Sequence, residues 1–173
     1  DLTCETCNTF GTNLCHLSVA ETAYYDYCET HETRWWEITY LLLFGVCQFH
    51  KAHRKDMMFL ECCTPNSDSN PPQLNMLVSI TSVVSVALVK NHYAVLEFKL
   101  EEKIVYVYDG LNINLNSWGN HIDYILKQVR EGRKDWKVSN VTKFYNRCIT
   151  QTDGWNCGPI ACMVMWGLFN PNP

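Results

Sequence analysis

Residues 151–166, Gln-Thr-Asp-Gly-Trp-Asn-Cys-Gly-Pro-Ile-Ala-Cys-Met-Val-Met-Trp, set one cysteine, Cys157, between a polar turn and an apolar run. Asp153 and Gly154 are turn formers, Gly158 permits close backbone approach, and Pro159 suits the first turn of a helix but not its interior. A helix is therefore predicted to begin at about Cys157. Residues 160–166 are apolar on every side, the pattern of a helix buried in a core. A thiol at such an N-terminus meets unpaired amide hydrogens and the positive end of the helix dipole. Both favour the thiolate, which is the nucleophilic form. Cysteine is also a common small core residue, so position alone leaves a structural role open.

A base and an acid to orient it are available upstream. Residues 92–100 alternate, with Ala94, Leu96, Phe98 and Leu100 on one face and Tyr93, Val95, Glu97 and Lys99 on the other. Residues 103–109 read as a second strand. A turn centred on Glu101 and Glu102 puts Leu100 opposite Lys103, Phe98 opposite Val105, Leu96 opposite Val107 and Ala94 opposite Asp109. In that register His92 is a diagonal neighbour of Asp109 on the same face, with the two backbones about 7 to 8 Å apart, within reach of a carboxylate–imidazole hydrogen bond. A slip of one residue would put them on opposite faces; the apolar matching of Phe98 with Val105 and Leu96 with Val107 argues for the register chosen.

His92, Asp109, Gln151 and Cys157 together make the parts list of a cysteine hydrolase. Cys157 would attack a carbonyl, His92 would take the thiol proton and return it to the leaving amine, and Asp109 would hold the imidazole. Gln151 would donate its side-chain amide to the oxyanion beside the backbone N–H of Cys157. Taken singly each has a plainer explanation: a strand histidine is packed or solvated, and a strand-ending aspartate forms turns.

Around these residues the chain reads as α+β. Helical spacing of Trp36, Tyr40, Leu43, Phe44 and Cys47 predicts one or two core helices within 33–60, with the basic segment 51–55 near a helix end. Residues 64–73 have loop composition, 74–89 predict a buried strand broken by Lys90 and Asn91, and an amphipathic helix is expected from about Trp118 to Gln128, with Ile122, Ile125 and Val129 inward and Gly132 ending it. Residues 137–149 predict a further short strand. At 173 residues the chain is long enough for a core of its own. A net charge of -4 argues against nucleic acid or acidic lipid as the main partner, and no apolar run approaches the roughly 18 to 20 residues that cross a bilayer. The chain opens on Asp1 with polar residues, and a segment cut from a longer protein is expected. Ten cysteines are about 6% of the residues, below the roughly 8 to 10% of disulfide scaffolds. A working thiol must stay reduced, which places a catalytic Cys157 inside the cell, in nucleus or cytoplasm.

The order and wording of His92-Tyr-Ala-Val-Leu, Val107-Tyr-Asp-Gly-Leu111 and Gln151-Thr-Asp-Gly-Trp-Asn-Cys-Gly158 resemble the ubiquitin-like-protein-specific (SUMO, or sentrin) cysteine protease family, relatives of the adenovirus proteinase. The resemblance covers about residues 74–168. It implies the papain-like α+β fold, with the cysteine at the N-terminus of a buried central helix facing a mixed or antiparallel sheet. It also implies cleavage of a peptide or isopeptide bond after the Gly-Gly tail of a ubiquitin-like modifier such as SUMO, without metal or organic cofactor. Tyr93 stands where this family usually has a tunnel-lining Trp, Asn156 where it often has Asp, and Gly110 where it often has Ser. Tyr93, Trp155, Asn156 and Gly158 are the substrate-binding candidates. The segments by which the family recognises its modifier have no match in the N-terminal half, and related proteases act on other proteins.

Residues 1–32 are set apart as a Cys/His-rich segment, and 33–173 as the catalytic domain. Within the segment Cys4, Cys7, Cys28 and His31 have the paired spacing of a tetrahedral zinc site, with Cys15 or His16 able to replace one donor. Chance pairing in a cysteine-rich chain explains the same spacing. Cys47, His50 and His53 form a further donor set, which passage through a helix explains equally well. The alternative to a peptidase is thus a zinc-stabilised interaction module, or a silent binder of a ubiquitin-like protein.

Overall fold

Residues 82–89, Ser-Val-Val-Ser-Val-Ala-Leu-Val, are half valine and uncharged, which suits a strand covered on both faces. In the computed structural model, which describes residues 38–60, 76, 78–133, 143–146 and 157–171, they form β2 (Ser82–Val89) of a five-stranded sheet. Strand order follows the sequence: β1 (Met57–Leu60), β2, β3 (His92–Lys99), β4 (Ile104–Tyr108) and β5 (Lys143–Asn146). The outer pairs β1–β2 and β4–β5 are parallel and the inner pairs antiparallel, so the sheet is mixed. With α1 (Ile38–Ala52), α2 (Gly119–Gly132), α3 (Cys157–Phe169) and a 3-10 turn at Leu115–Trp118, the architecture is α+β. The chain divides into two compact units, one of Asp1–Arg54 with Gln151–Pro173, the other Lys55–Thr150.

In the second unit, two turns fix the strands that matter for the site. Lys90 and Asn91 have φ of 49° and 59°, the paired positive values of a type I′ hairpin turn, and Val89 pairs directly with His92 across it. His92 is thereby locked as the first residue of β3. At the other end of β3 the chain reverses through residues 100–103 and re-enters the sheet with Leu96 opposite Val107 and Phe98 opposite Val105, the register expected from apolar matching.

One face of this hairpin, Ala94, Leu96, Phe98, Val105 and Val107, packs against Trp118, Ile122, Ile125 and Val129. The last three of these recur at helical spacing and turn one stripe of α2 onto the sheet. The helix includes Gly132 rather than stopping before it, and the Arg133 amide caps it by donating to the Val129 carbonyl at 2.8 Å. The other face of β3 is covered as well, since Tyr93, Val95 and Glu97 are buried. Two expectations for the N-terminal half need correction. Residues 57–60 are not helical but form β1, which adds to β2 with Met57 beside Ser82; four apolar residues are too few to show a period. The predicted strand in 74–89 begins only at Ser82, after a turn at Val78 and Ser79.

The other unit contains α1 and α3, packed against each other. The rings of Phe49 and Phe169 lie 5.9 Å apart, and Arg54 Nη1 donates to the Leu168 carbonyl at 3.4 Å, satisfying one of the acceptors left open at the end of α3. Helix α3 is not buried all round. Cys157, Ala161, Met165 and Phe169, four residues apart, form a buried stripe with Cys162 beside it, while Met163 and Trp166 are 40% and 48% exposed. An apolar residue is not forced inside when the packing surface covers only one stripe of its helix. Among the described residues no helix is long and apolar enough to cross a membrane.

Because Ile125 is fully buried between α2 and the sheet, Ile125→Ala should lower unfolding free energy by about 2 to 5 kcal/mol. Urea unfolding of the two proteins measures this; a loss below ~1 kcal/mol would mean that the α2 stripe is not the core of this unit.

Candidate active site

Asp109 follows β4 immediately and begins a loop that folds back on its own carboxylate. Oδ1 accepts the Leu111 amide at 2.9 Å and Oδ2 the Ile113 amide at 2.8 Å, while the Asn112 amide reaches the Asp109 carbonyl at 3.3 Å. Asn112 adopts the left-handed conformation, with φ of 49°, that such a turn requires. The side chain is thus anchored by its own loop before any other residue touches it.

His92 meets this carboxylate from the start of β3. Its Nε2 lies 2.5 Å from Asp109 Oδ1, and the two residues are 6% and 1% exposed. An ionised carboxylate only accepts, so Nε2 carries the proton and Nδ1 is the acceptor nitrogen of the neutral ring. Burial alone would push the Asp109 pKa up. The hydrogen bond from His92, those from the Leu111 and Ile113 amides and the attraction of the imidazolium charge outweigh it, so the carboxyl titrates below its ordinary value. The indole of Trp118, last residue of the 3-10 turn, lies beside the imidazole with ring centroids 6.0 Å apart and planes at 50°.

Cys157 is the first residue of α3, a free and buried cysteine followed by buried Gly158 and Pro159. Cys162 is fully buried on the same helix, as a structural cysteine would be. Tyr93 is buried on the sheet face opposite that of His92. Gln151, Trp155 and Asn156 lie outside the described residues, as do Cys148, the zinc candidates Cys4, Cys7, Cys28 and His31, and the boundary at residue 32. Cys47 is buried in α1, and His50 titrates low because burial disfavours its charge, helped by the neighbouring charge of His53. Among the described residues no group of three or more side chains is placed to hold a metal ion.

Sequence reasoning brought His92 and Asp109 together but missed what surrounds them. The Asp109-Gly110 pair signals a turn, yet which amides fill the carboxylate depends on the left-handed Asn112. Trp118 was legible only as a helix start, and its approach to His92 is a tertiary contact with no local signal.

The depressed Asp109 pKa makes a signed statement about stability. A carboxyl held below its unfolded value stabilises the fold above that value, and the contribution is lost as pH falls through the folded pKa. Asp109→Asn should therefore cost roughly 1.5 to 3 kcal/mol near neutral pH, the range for hydrogen bonds to charged groups. The gap from the unmodified protein should begin to close below about pH 4, where the unfolded carboxyl takes up its proton, and vanish once pH has fallen through the lower folded value. Denaturant midpoints across pH check this; a gap independent of pH would contradict it.

No family model matches the chain, and no curated protein matches its sequence. Solved structures do. The chain is similar to the C-terminal Ulp1 protease domain in its complex with Smt3, the yeast ortholog of SUMO, at 15% identity and a TM-score of 0.58, over 81% of this chain and 68% of that one. It is similar to the SUMO protease Ulp1 with its catalytic cysteine oxidised to a sulfenic acid, at 13% identity and a TM-score of 0.59, over 93% and 85% of the two chains. A de-sumoylating protease matches at 9% identity with a TM-score of 0.56, over 83% of this chain and 66% of that one. At such identities the likeness is one of fold: this chain has the α+β architecture of the Ulp1 SUMO proteases.

Proposed function

We propose that this protein is a cysteine peptidase that cleaves peptide or isopeptide bonds at the C-terminal tail of a ubiquitin-like modifier such as SUMO. The observation that carries the reading is the buried His92–Asp109 hydrogen bond, made on a fold shared with SUMO proteases, in a chain whose Cys157 begins a helix. A buried carboxylate that fixes an imidazole with Nε2 protonated leaves Nδ1 as the basic nitrogen, the arrangement a thiol nucleophile needs from its base.

In this reading Nδ1 of His92 takes the Cys157 thiol proton as sulfur bonds to the scissile carbonyl carbon. The carbonyl oxygen becomes an oxyanion, held by the Cys157 amide and the Gln151 side chain. Its collapse breaks the C–N bond while the imidazolium protonates the leaving amine, and a thioester remains on Cys157. Water, deprotonated by the same imidazole, then releases the carboxylate and the thiol. Asp109 stabilises the imidazolium at both stages and does not itself take the proton. Trp155 and Asn156 are assigned to the substrate-binding surface in this proposal; Tyr93 and Gly158, being buried, are not.

Ubiquitin-like modifiers carrying a C-terminal thiol-reactive warhead provide the test. One adduct, located at Cys157 by mass spectrometry and absent from Cys157→Ala, is the expected outcome, and no adduct with any modifier would remove the deconjugation claim. Turnover should vanish in Cys157→Ala, and Gln151→Ala should slow it by about 10² to 10³-fold, the usual cost of one oxyanion donor. An unchanged rate in Gln151→Ala would remove that residue from the mechanism.

A further inference from the structure

The imidazole of His92 has a second neighbour for which the reaction outlined above has no use. Trp118 is fully buried, yet its indole Nε1 has no hydrogen-bond partner among the described residues. A position that only had to be filled would be served better by Phe or Leu, which bury no N–H. What the indole does touch is His92, at 6.0 Å between ring centroids with the planes inclined at 50°.

The two partners of the imidazole come from one continuous segment. Asp109 opens it; its loop is tied down by the Leu111 and Ile113 amides, and Trp118 ends the 3-10 turn that follows. That turn is itself fixed, because the Asn114 side chain accepts the Asn116 amide at 3.0 Å and the Asn114 carbonyl accepts the Ser117 amide at 2.9 Å. Asp109 pins one ring nitrogen, and a rigid aromatic surface against the ring bears on the plane in which that hydrogen bond holds it. That surface also lies within the roughly 6 Å over which an aromatic ring attracts a cation, so it favours the imidazolium that forms when the thiol proton arrives.

We infer that Trp118 is a positioning residue for His92: its indole sets the plane of the imidazole and thereby the direction of Nδ1. This inference rests on the proposed peptidase chemistry for its purpose, though not for its geometry. It concerns an aromatic partner supplied from beyond the acid, in a turn that packs onto the sheet.

Nuclear magnetic resonance of histidine ring nitrogens and protons in the whole chain, with the Trp118→Phe and Trp118→Leu variants, tests the geometry. In the unmodified protein the His92 ring protons should be shifted by the indole ring current and show cross-relaxation with Trp118. Absence of both would overturn the proposal without any variant. In all three proteins Asp109 should keep Nε2 protonated; Trp118→Phe should retain sharp His92 nitrogen resonances, whereas in Trp118→Leu they should broaden as the ring reorients. Equally sharp His92 nitrogen resonances in Trp118→Leu, with the fold intact by circular dichroism, would make Trp118 a core filler.

Iodoacetamide alkylation of Cys157 tests the purpose. The rate at neutral pH should fall about 5 to 10-fold in Trp118→Leu and recover at least half of the loss in Trp118→Phe, a small share of the ~10² to 10⁴ that general-base catalysis supplies. If His92 responds to Trp118 while alkylation is unchanged even in His92→Ala, the positioning role stands and the peptidase reading fails. If alkylation depends on His92 but not on Trp118, the peptidase reading stands and the positioning role fails.

Discussion

Burying a carboxylate is costly unless its oxygens find donors, and among the described residues the Asp109 carboxylate finds the His92 imidazole and the amides of Leu111 and Ile113. Two of the donors are local and hold the side chain in one rotamer whatever else the protein does. The third links the end of β4 to the beginning of β3 and turns a structural requirement into a chemical device. A histidine that satisfies the carboxylate through Nε2 is at the same time oriented and biased towards one tautomer. In the proposed chemistry, satisfying a buried charge and preparing a base are the same interaction.

The hairpins exist, in this light, to deliver two side chains to one place. The type I′ turn at Lys90 and Asn91 sets where β3 begins, and the reversal at residues 100–103 sets its register against β4. Packing of Leu96, Phe98, Val105 and Val107 beneath α2 makes a register slip expensive, because a shift of one residue would turn that whole apolar set away from Ile122, Ile125 and Val129. The precision of the His92–Asp109 contact is therefore stored in the hydrophobic core, several residues from the polar pair itself.

Period-2 patterns were readable because one face had to be apolar, and matching Phe98 to Val105 was enough to bring His92 near Asp109 without coordinates. Elements that lack a period were not readable: β1 is four residues long, and its strand character comes from pairing with β2. Helix α3 misled for the opposite reason. Its sequence is apolar throughout, yet only one stripe finds a partner surface and Trp166 stays about half exposed. The amides of Leu111 and Ile113, and the ring of Trp118, escaped notice because backbone donors and tertiary ring contacts leave no trace in residue spacing.

Whether the buried pair serves Cys157 is the central question, and a double-mutant cycle answers it most directly. Iodoacetamide alkylation rates of Cys157 are compared in the unmodified protein, His92→Ala, Asp109→Ala and the double variant, each shown to be folded. If Asp109 acts only through His92, Asp109→Ala slows alkylation when His92 is present and adds nothing once it is gone. Equal rates in all four proteins would contradict the proposed chemistry, leaving His92 and Asp109 as a buried pair that serves the fold alone.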